Sequence, residues 1–150
     1  MNKTLEIKIK SINNDIVMPS YETSSSAGLD LRAYLPDGEV ELGPKEIKLI
    51  GTGLHFEIPD GFEVQIRPRS GLAFKNGISV LNSPGTIDAD YRGEIKVLLI
   101  NHSSKIFKLE NKMRIAQMVV SRYERVKFKI VEDLSSTERG SGGFGSTGTE

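Results

Sequence analysis

"LHFEIPDGFEVQI", Leu54 to Ile66, sets two short alternating runs on either side of a turn. Leu54, Phe56 and Ile58 recur at every second position, and so do Phe62, Val64 and Ile66. A period of two places each set on one face of an extended chain, which predicts half-buried β-strands. Between the runs stand Pro59, Asp60 and Gly61: a fixed φ, a side chain that bonds its own backbone, and a residue free to take positive φ. The predicted unit is strand, turn, strand.

Working outward, the same alternation appears at Leu5, Ile7 and Ile9, at Ile95, Val97 and Leu99, and at Val126, Phe128 and Ile130. Further turn chemistry stands at "PDG" (Pro36 to Gly38), "GPK" (Gly43 to Lys45) and "SPG" (Ser83 to Gly85). Long helical periodicity is absent. Short strands separated by such turns predict an all-β chain, a jelly-roll-like barrel or sandwich. One short helix is expected from Ser70 through "GLAFK", with Ser70 a candidate N-cap. There is no repeat at a fixed period and no linker before Ser135, where the text turns rich in Gly, Ser and Thr. We therefore expect one β domain over residues 1–134 and a flexible glycine-rich tail over 135–150.

A chain of 150 residues suits one domain. At this size folding buries ~68–70% of the unfolded surface, so no staple is required. Lys plus Arg and Asp plus Glu are 20 each, for a net charge of zero. The long-range field that would gather nucleic acid or an anionic membrane is missing, and neither partner is expected. The lack of cysteine excludes disulfides, thiolate nucleophiles and thiolate metal sites. "MNKTLEIKIK" has no apolar signal core, and the longest aliphatic run, "VLLI" at Val97 to Ile100, is too short to span a bilayer. A soluble, cytoplasmic protein is the expectation. Two histidines make no metal-binding cluster, and His55, on the face opposite Leu54 and Phe56, reads as an exposed strand residue.

Five stretches carry polar residues where alternation does not ask for them. In "AGLDLRA" (Ala27 to Ala33), Asp30 stands between two leucines, and the plainer account is a bond to the backbone of a tight turn. In "RPRSGLAF" (Arg67 to Phe74), Arg69, Ser70 and Gly71 bring together a guanidinium, a hydroxyl and an unobstructed N–H, a small anion site. Helix capping explains Ser70 equally well but leaves Arg69 unexplained. "LNSPGTIDADYRGEIKV" (Leu81 to Val97) reads as a β-hairpin turning at Pro84 and Gly85, with the return strand starting near Thr86. Asp88 and Asp90, one residue apart on a strand, would point the same way and could share a metal or supply a base. A solvated acidic edge explains Asp90 and fits Asp88, beside Ile87, less well. In "RIAQMVV" (Arg114 to Val120), Gln117 breaks an apolar run, and a satisfied core amide is the commoner reading. The tail "RGSGGFGSTG" (Arg139 to Gly148) looks like a phosphate loop, but Ser146 and Thr147 follow Gly145 where a Walker loop needs Lys.

In this order and at these intervals, the five stretches resemble the five motifs of the trimeric dUTPase family, covering about Ala27 to Gly148. The resemblance implies a β jelly roll assembled as a homotrimer whose three active sites are each built from several subunits. It implies Mg²⁺-dependent hydrolysis of dUTP to dUMP and pyrophosphate, which limits uracil in DNA and supplies dUMP for thymidylate synthesis. By resemblance Asp88 is the general base that holds the attacking water, and Tyr91 packs under the deoxyribose. Asn82, with the backbone from Thr86 through Ile87 to Asp88 and around Lys96, matches the uracil-reading set. Arg69, Ser70 and Gly71 match the triphosphate grip, and Gln117 a further phosphate contact. Arg139, Phe144 and Gly145 match the closing tail, with Arg139 as phosphate clamp and Phe144 as the stack on uracil. Asp30 matches an acid that supports the metal-bound phosphates. Where the family often has Gly and an acid before "RIAQ", this chain has Asn111, Lys112 and Met113, a departure in the turn and not in the site.

The residues agree with that chemistry. Mg²⁺ keeps waters and takes phosphate oxygens, so no protein cage need appear. In-line attack at phosphorus rests on positioning, with an aligned carboxylate base adding about 10²–10⁴ in rate. Deamination of dCTP on the same fold would need an acid/base glutamate, for which "MVVSRYE" after "RIAQ" offers no candidate. A nucleotide sensor, binding dUTP to present a surface to a partner, is the rival from another class, and turnover separates the two.

Overall fold

The computed structural model describes residues 4–143. In chain order the strands are β1 (Lys8–Ser11), β2 (Leu29–Arg32), β3 (Val40–Leu42), β4 (Ile47–Glu57) and β5 (Phe62–Arg67), then α1 (Ser70–Asn76), the one helix among the described residues. After it come β6 (Ile78–Val80), β7 (Gly85–Ile87), β8 (Glu94–Asn101), β9 (Phe107–Leu109) and β10 (Arg114–Arg122). One sheet has the order β1-β4-β8-β6, a second β2-β10-β5-β7, and β3 pairs with β9. Every pairing is antiparallel, and the sheets enclose one apolar core. The expected all-β jelly roll with one short helix is the fold observed. No helix among the described residues is long and apolar enough to cross a membrane.

The alternating runs account for that core. Leu54, Phe56 and Ile58, then Val64 and Ile66, then Ile95, Val97 and Leu99 are all buried. Halfway along β4 the pairing with β8 shifts register between Gly51 and His55, where Gly53 has φ 68°. A Cβ at Gly53 would run into the side chain of Ile16, and Glu94 Oε1 accepts the Gly53 N–H at 2.9 Å. Glycine is needed there because L side chains avoid positive φ.

Several expectations are corrected. Leu5 precedes β1, and both Leu5 and Ile9 are exposed because β1 is the edge strand of its sheet. Arg69, not Ser70, is the N-cap of α1, with φ −90° and ψ 126° and no side-chain capping bond; Ser70 is already helical. The stretch around Pro84 and Gly85 is not a hairpin: β6 pairs with β8 and β7 with β5, so the chain crosses from one sheet to the other. The alternation at Val126, Phe128 and Ile130 forms no strand. These side chains are 73%, 88% and 97% exposed, since no strand among the described residues pairs with them. Periodicity identifies a face but supplies no partner.

Candidate active site

The middle of β10 joins two of the motifs. Gln117 lies opposite Asp30 of β2 on one side and opposite Arg67 of β5 on the other. Its Nε2 donates to the carbonyl of Pro68 at 2.9 Å, while its Oε1 lies against Gly28, where a Cβ would collide with it. The amide is thus partly satisfied by the fold and still lines an open cleft of about 420 Å³ with Asp30, Arg69, Ser70 and Gly71. A Cβ on Gly71 would meet nothing, so the chain is open at this point of the cleft's lining.

Asp30 sits in a strand, and the expected tight-turn role fails. Its Oδ1 accepts Arg69 Nε at 2.8 Å and its Oδ2 accepts Arg114 Nη1 at 3.1 Å. Arg114 Nη1 also stands 3.3 Å from Glu22 Oε1. With its side chain only 14% exposed, Asp30 sets the direction of two guanidiniums. Arg69 spends Nε on this contact and retains its other N–H donors for an anion in the cleft. Asp30→Ala should leave the half-buried Arg69 guanidinium without its carboxylate, with Arg114 keeping only Glu22, and lower stability by about 1–3 kcal/mol. Urea unfolding measures this, and Asp30→Asn, which retains an acceptor, should lose less.

The second group is built on a turn. Asp88 directly follows β7, and Tyr91 N–H donates to its carbonyl at 3.1 Å. Arg92 Nη1 donates to the carbonyls of Ala89 at 2.6 Å and Tyr91 at 3.1 Å, closing the turn from within. Tyr91 donates its hydroxyl to the Glu94 carbonyl at 3.0 Å and lays its ring over Gly93, where a Cβ would collide with it. Because this is a turn, Asp88 and Asp90 are not two alternating strand residues, contrary to expectation. Both are exposed and border a shallow depression with Asp60, Tyr123 and Arg125. Asn82, before β7, places its amide against Gly85; Thr86 is exposed and Ile87 half-buried. Lys96, on β8 opposite Gly51, holds its Nζ 3.6 Å from Glu94 Oε2.

The dUTPase family model matches residues 14–148. The chain belongs to the dUTPase family. It is 58% identical over 144 residues to the deoxyuridine 5'-triphosphate nucleotidohydrolase of Nautilia profundicola, spanning 96% of this chain and 99% of that protein. Against the protein of the same name from Rhizobium rhizogenes it is 57% identical over 132 residues, 87% of this chain and 85% of that one. A mutant Staphylococcus bacteriophage 80alpha dUTPase solved with dUpNHpp superposes with a TM-score of 0.87 at 25% identity, covering 97% of this chain and all (100%) of that one. A mutant dUTPase of phage phi11, described for its coordination of a structural Mg(II) ion, superposes at 0.78 with 20% identity, covering 87% of this chain and 99% of that one. Family membership bears out the expected class, an enzyme of nucleotide metabolism.

Within this dUTPase chain the two groups lie apart. Asp88 adjoins Ile87, which pairs with Val64 near the start of β5, whereas Arg69 and Ser70 follow its other end at Arg67. From Val64 to Arg67 the strand alone spans roughly 10 Å, and the chain continues outward beyond both points. Arg139 is in the exposed terminal stretch, its Nε donating to the Gly142 carbonyl at 2.8 Å; Phe144 and Gly145 lie outside the described residues. Sequence reading gave no role to Arg114 or Glu94, although both stand inside quoted motifs. The only signal was a charged side chain flanking each strand.

Proposed function

We propose that the chain hydrolyses dUTP to dUMP and pyrophosphate as a homotrimer with shared active sites. The observation that carries the reading is the Asp30–Arg69 pair, 2.8 Å long, at a cleft shared with Ser70, Gly71 and Gln117. A guanidinium oriented by a half-buried carboxylate, next to a hydroxyl and a bare N–H, suits a polyphosphate. The 80alpha dUTPase solved with dUpNHpp supports dUTP as the nucleotide.

Asp88 takes a proton from water as the water's oxygen bonds to the α-phosphorus. The bond from that phosphorus to the bridging oxygen of the β-phosphate breaks, and pyrophosphate departs. Arg69, Ser70, Gly71 and Gln117 hold the phosphates; Asn82 and the backbone from Thr86 to Asp88 and near Lys96 read the uracil edge. Among the described residues no three His, Cys, Asp or Glu side chains converge on a metal position, and both oxygens of Asp30 are taken by guanidiniums. This donor set fits a Mg²⁺ ion carried by phosphate oxygens and water, and Asp30 reaches the phosphates through Arg69. When bound, the ion neutralises charge on the triphosphate.

A base must lie within hydrogen-bond reach of the water it activates. With Asp88 and Arg69 at opposite ends of β5, the shared-site trimer brings the turn of one subunit to the cleft of another. The exposed apolar run Val126, Phe128, Ile130 and Leu134 supports a C-terminal arm that is covered by a neighbouring subunit.

Tyr91 under the sugar leaves a 2'-hydroxyl no room, and a uracil-edge contact leaves a 5-methyl no room. Steric exclusion is required, because an apolar pocket alone separates one methylene by only about 10–200-fold. With Mg²⁺ present, dUTP is expected to release pyrophosphate far more efficiently than dTTP, UTP or dCTP. Equal turnover of dTTP or UTP refutes the assignment. Binding without pyrophosphate release supports the sensor, and ammonia from dCTP supports the deaminase.

A further inference from the structure

The Asp88–Glu94 turn closes on itself, so its orientation depends on what ties it to the sheets. Ala89 packs into the core, and among the described residues two side-chain hydrogen bonds add to that tie. Glu94 Oε1 accepts the Gly53 N–H at 2.9 Å, and His55 Nδ1 lies 2.9 Å from the carbonyl oxygen of Arg92. His55, expected to be an exposed strand residue, is half-buried. It stands on β4 directly after the register shift, paired with Glu94 of β8.

We propose that His55 is a positioning residue for the turn that carries Asp88 and Tyr91, acting through the carbonyl of Arg92. This rests on the proposed hydrolysis of dUTP for its catalytic consequence. A carbonyl oxygen only accepts, so the proton of this hydrogen bond is on Nδ1. Arg92 then works in two directions. Its carbonyl is fixed to β4 by His55, while its guanidinium grips the carbonyls of Ala89 and Tyr91, just beyond Asp88. Removing the imidazole frees the outer end of this clamp, and the turn can rotate about Glu94. The glycines on each side of the anchor, Gly53 and Gly93, lend no stiffness of their own. Asp88 and Tyr91 move together, so water activation and sugar discrimination are lost together.

The test compares wild type with His55→Leu, which keeps bulk and loses the donor, and His55→Asn, whose Nδ2 stands where Nδ1 stood. If Leu prevents folding, His55→Gln replaces it, because its amide lies at the Nε2 position and misses Arg92. Amide exchange at residues 89–93 is measured without nucleotide, and kcat and KM are measured for dUTP and UTP. We expect His55→Leu to speed exchange in the turn, lower kcat for dUTP by about 10 to 100-fold and lower the dUTP-to-UTP preference. His55→Asn should restore all three. A histidine needed only for folding would lower both substrates by one factor and leave their ratio unchanged. Wild-type exchange in His55→Leu overturns the proposal, as does an unchanged ratio in an enzyme that hydrolyses dUTP. If the wild type hydrolyses nothing, the functional reading fails, and exchange alone still decides the role of His55.

Discussion

Asp88→Asn is expected to slow pyrophosphate release from dUTP by about 10²–10⁴ while leaving dUTP binding nearly intact. The amide has the shape of the carboxylate but cannot accept a proton from water. Asp88 is exposed at a turn, and among the described residues its side chain makes no hydrogen bond. The main chain of the turn is held by Tyr91 N–H and the Arg92 guanidinium, neither of which touches the Asp88 carboxylate. Replacing an exposed, unbonded side chain should alter stability by no more than about 0.5 kcal/mol. Single-turnover rates with dUTP, beside calorimetric binding of dUpNHpp, separate chemistry from affinity. Turnover that stays within about tenfold of wild type would remove Asp88 from the role of base.

The place of Asp88 in the fold differs from what its local sequence suggests, and the reason is physical. A hairpin turning at Pro84 and Gly85 puts Asp88 and Asp90 on a return strand that starts near Thr86, so the local pattern extends the strand to them. The structure ends β7 at Ile87 because the chain must turn there to enter β8. The supposed hairpin failed in the same way. "SPG" does mark a turn, but whether its flanks pair with each other depends on which sheet edges receive them. β6 found β8, and β7 found β5. Val126, Phe128 and Ile130 make the point from the other side, since their alternation is perfect and nothing within the described chain pairs with it. By contrast, the runs Leu54 to Ile58, Val64 to Ile66 and Ile95 to Leu99 are legible because their period is set by the side chains and the strands they form find partners within the sheets that bury that face.

The candidate site divides along the same line. Residue types suited to phosphate were visible at Arg69, Ser70 and Gly71, and the motif order identified the family. What no single stretch reveals is the relation between distant stretches. Asp30 with Arg69 and Arg114, Gln117 across Gly28, and His55 with Arg92 each join residues that only the strand register brings together. The two explanations weighed for Gln117, core amide and ligand contact, prove compatible. One end of its amide is bonded to Pro68 while the side chain lines the cleft.

Removing the tail before Arg139 is expected to abolish most turnover by itself, and mixing this truncation with Asp88→Asn subunits should bring activity back. The resemblance to the family motivates the expectation of a lid, in which the glycines would let the backbone wrap phosphates, Arg139 would clamp them and Phe144 would stack on the base. In the described part of the tail, Arg139 is exposed and held only by the nearby Gly142 carbonyl, so it is available to a nucleotide bound elsewhere. In a cyclic trimer where each site takes its Asp88 turn and its tail from different chains, a site is whole only when an intact turn meets an intact tail. Co-refolding the two variants in equal amounts gives that combination at about one site in four, and so roughly a quarter of full activity. Every mixed trimer then contains a whole site. If the tail closes over its own subunit's Asp88, no mixed trimer does. Mixed trimers that assemble, by native mass, yet show only the background of the separate variants refute the cross-subunit lid. Activity near one quarter, rising and falling as the mixing ratio passes through equality, supports it.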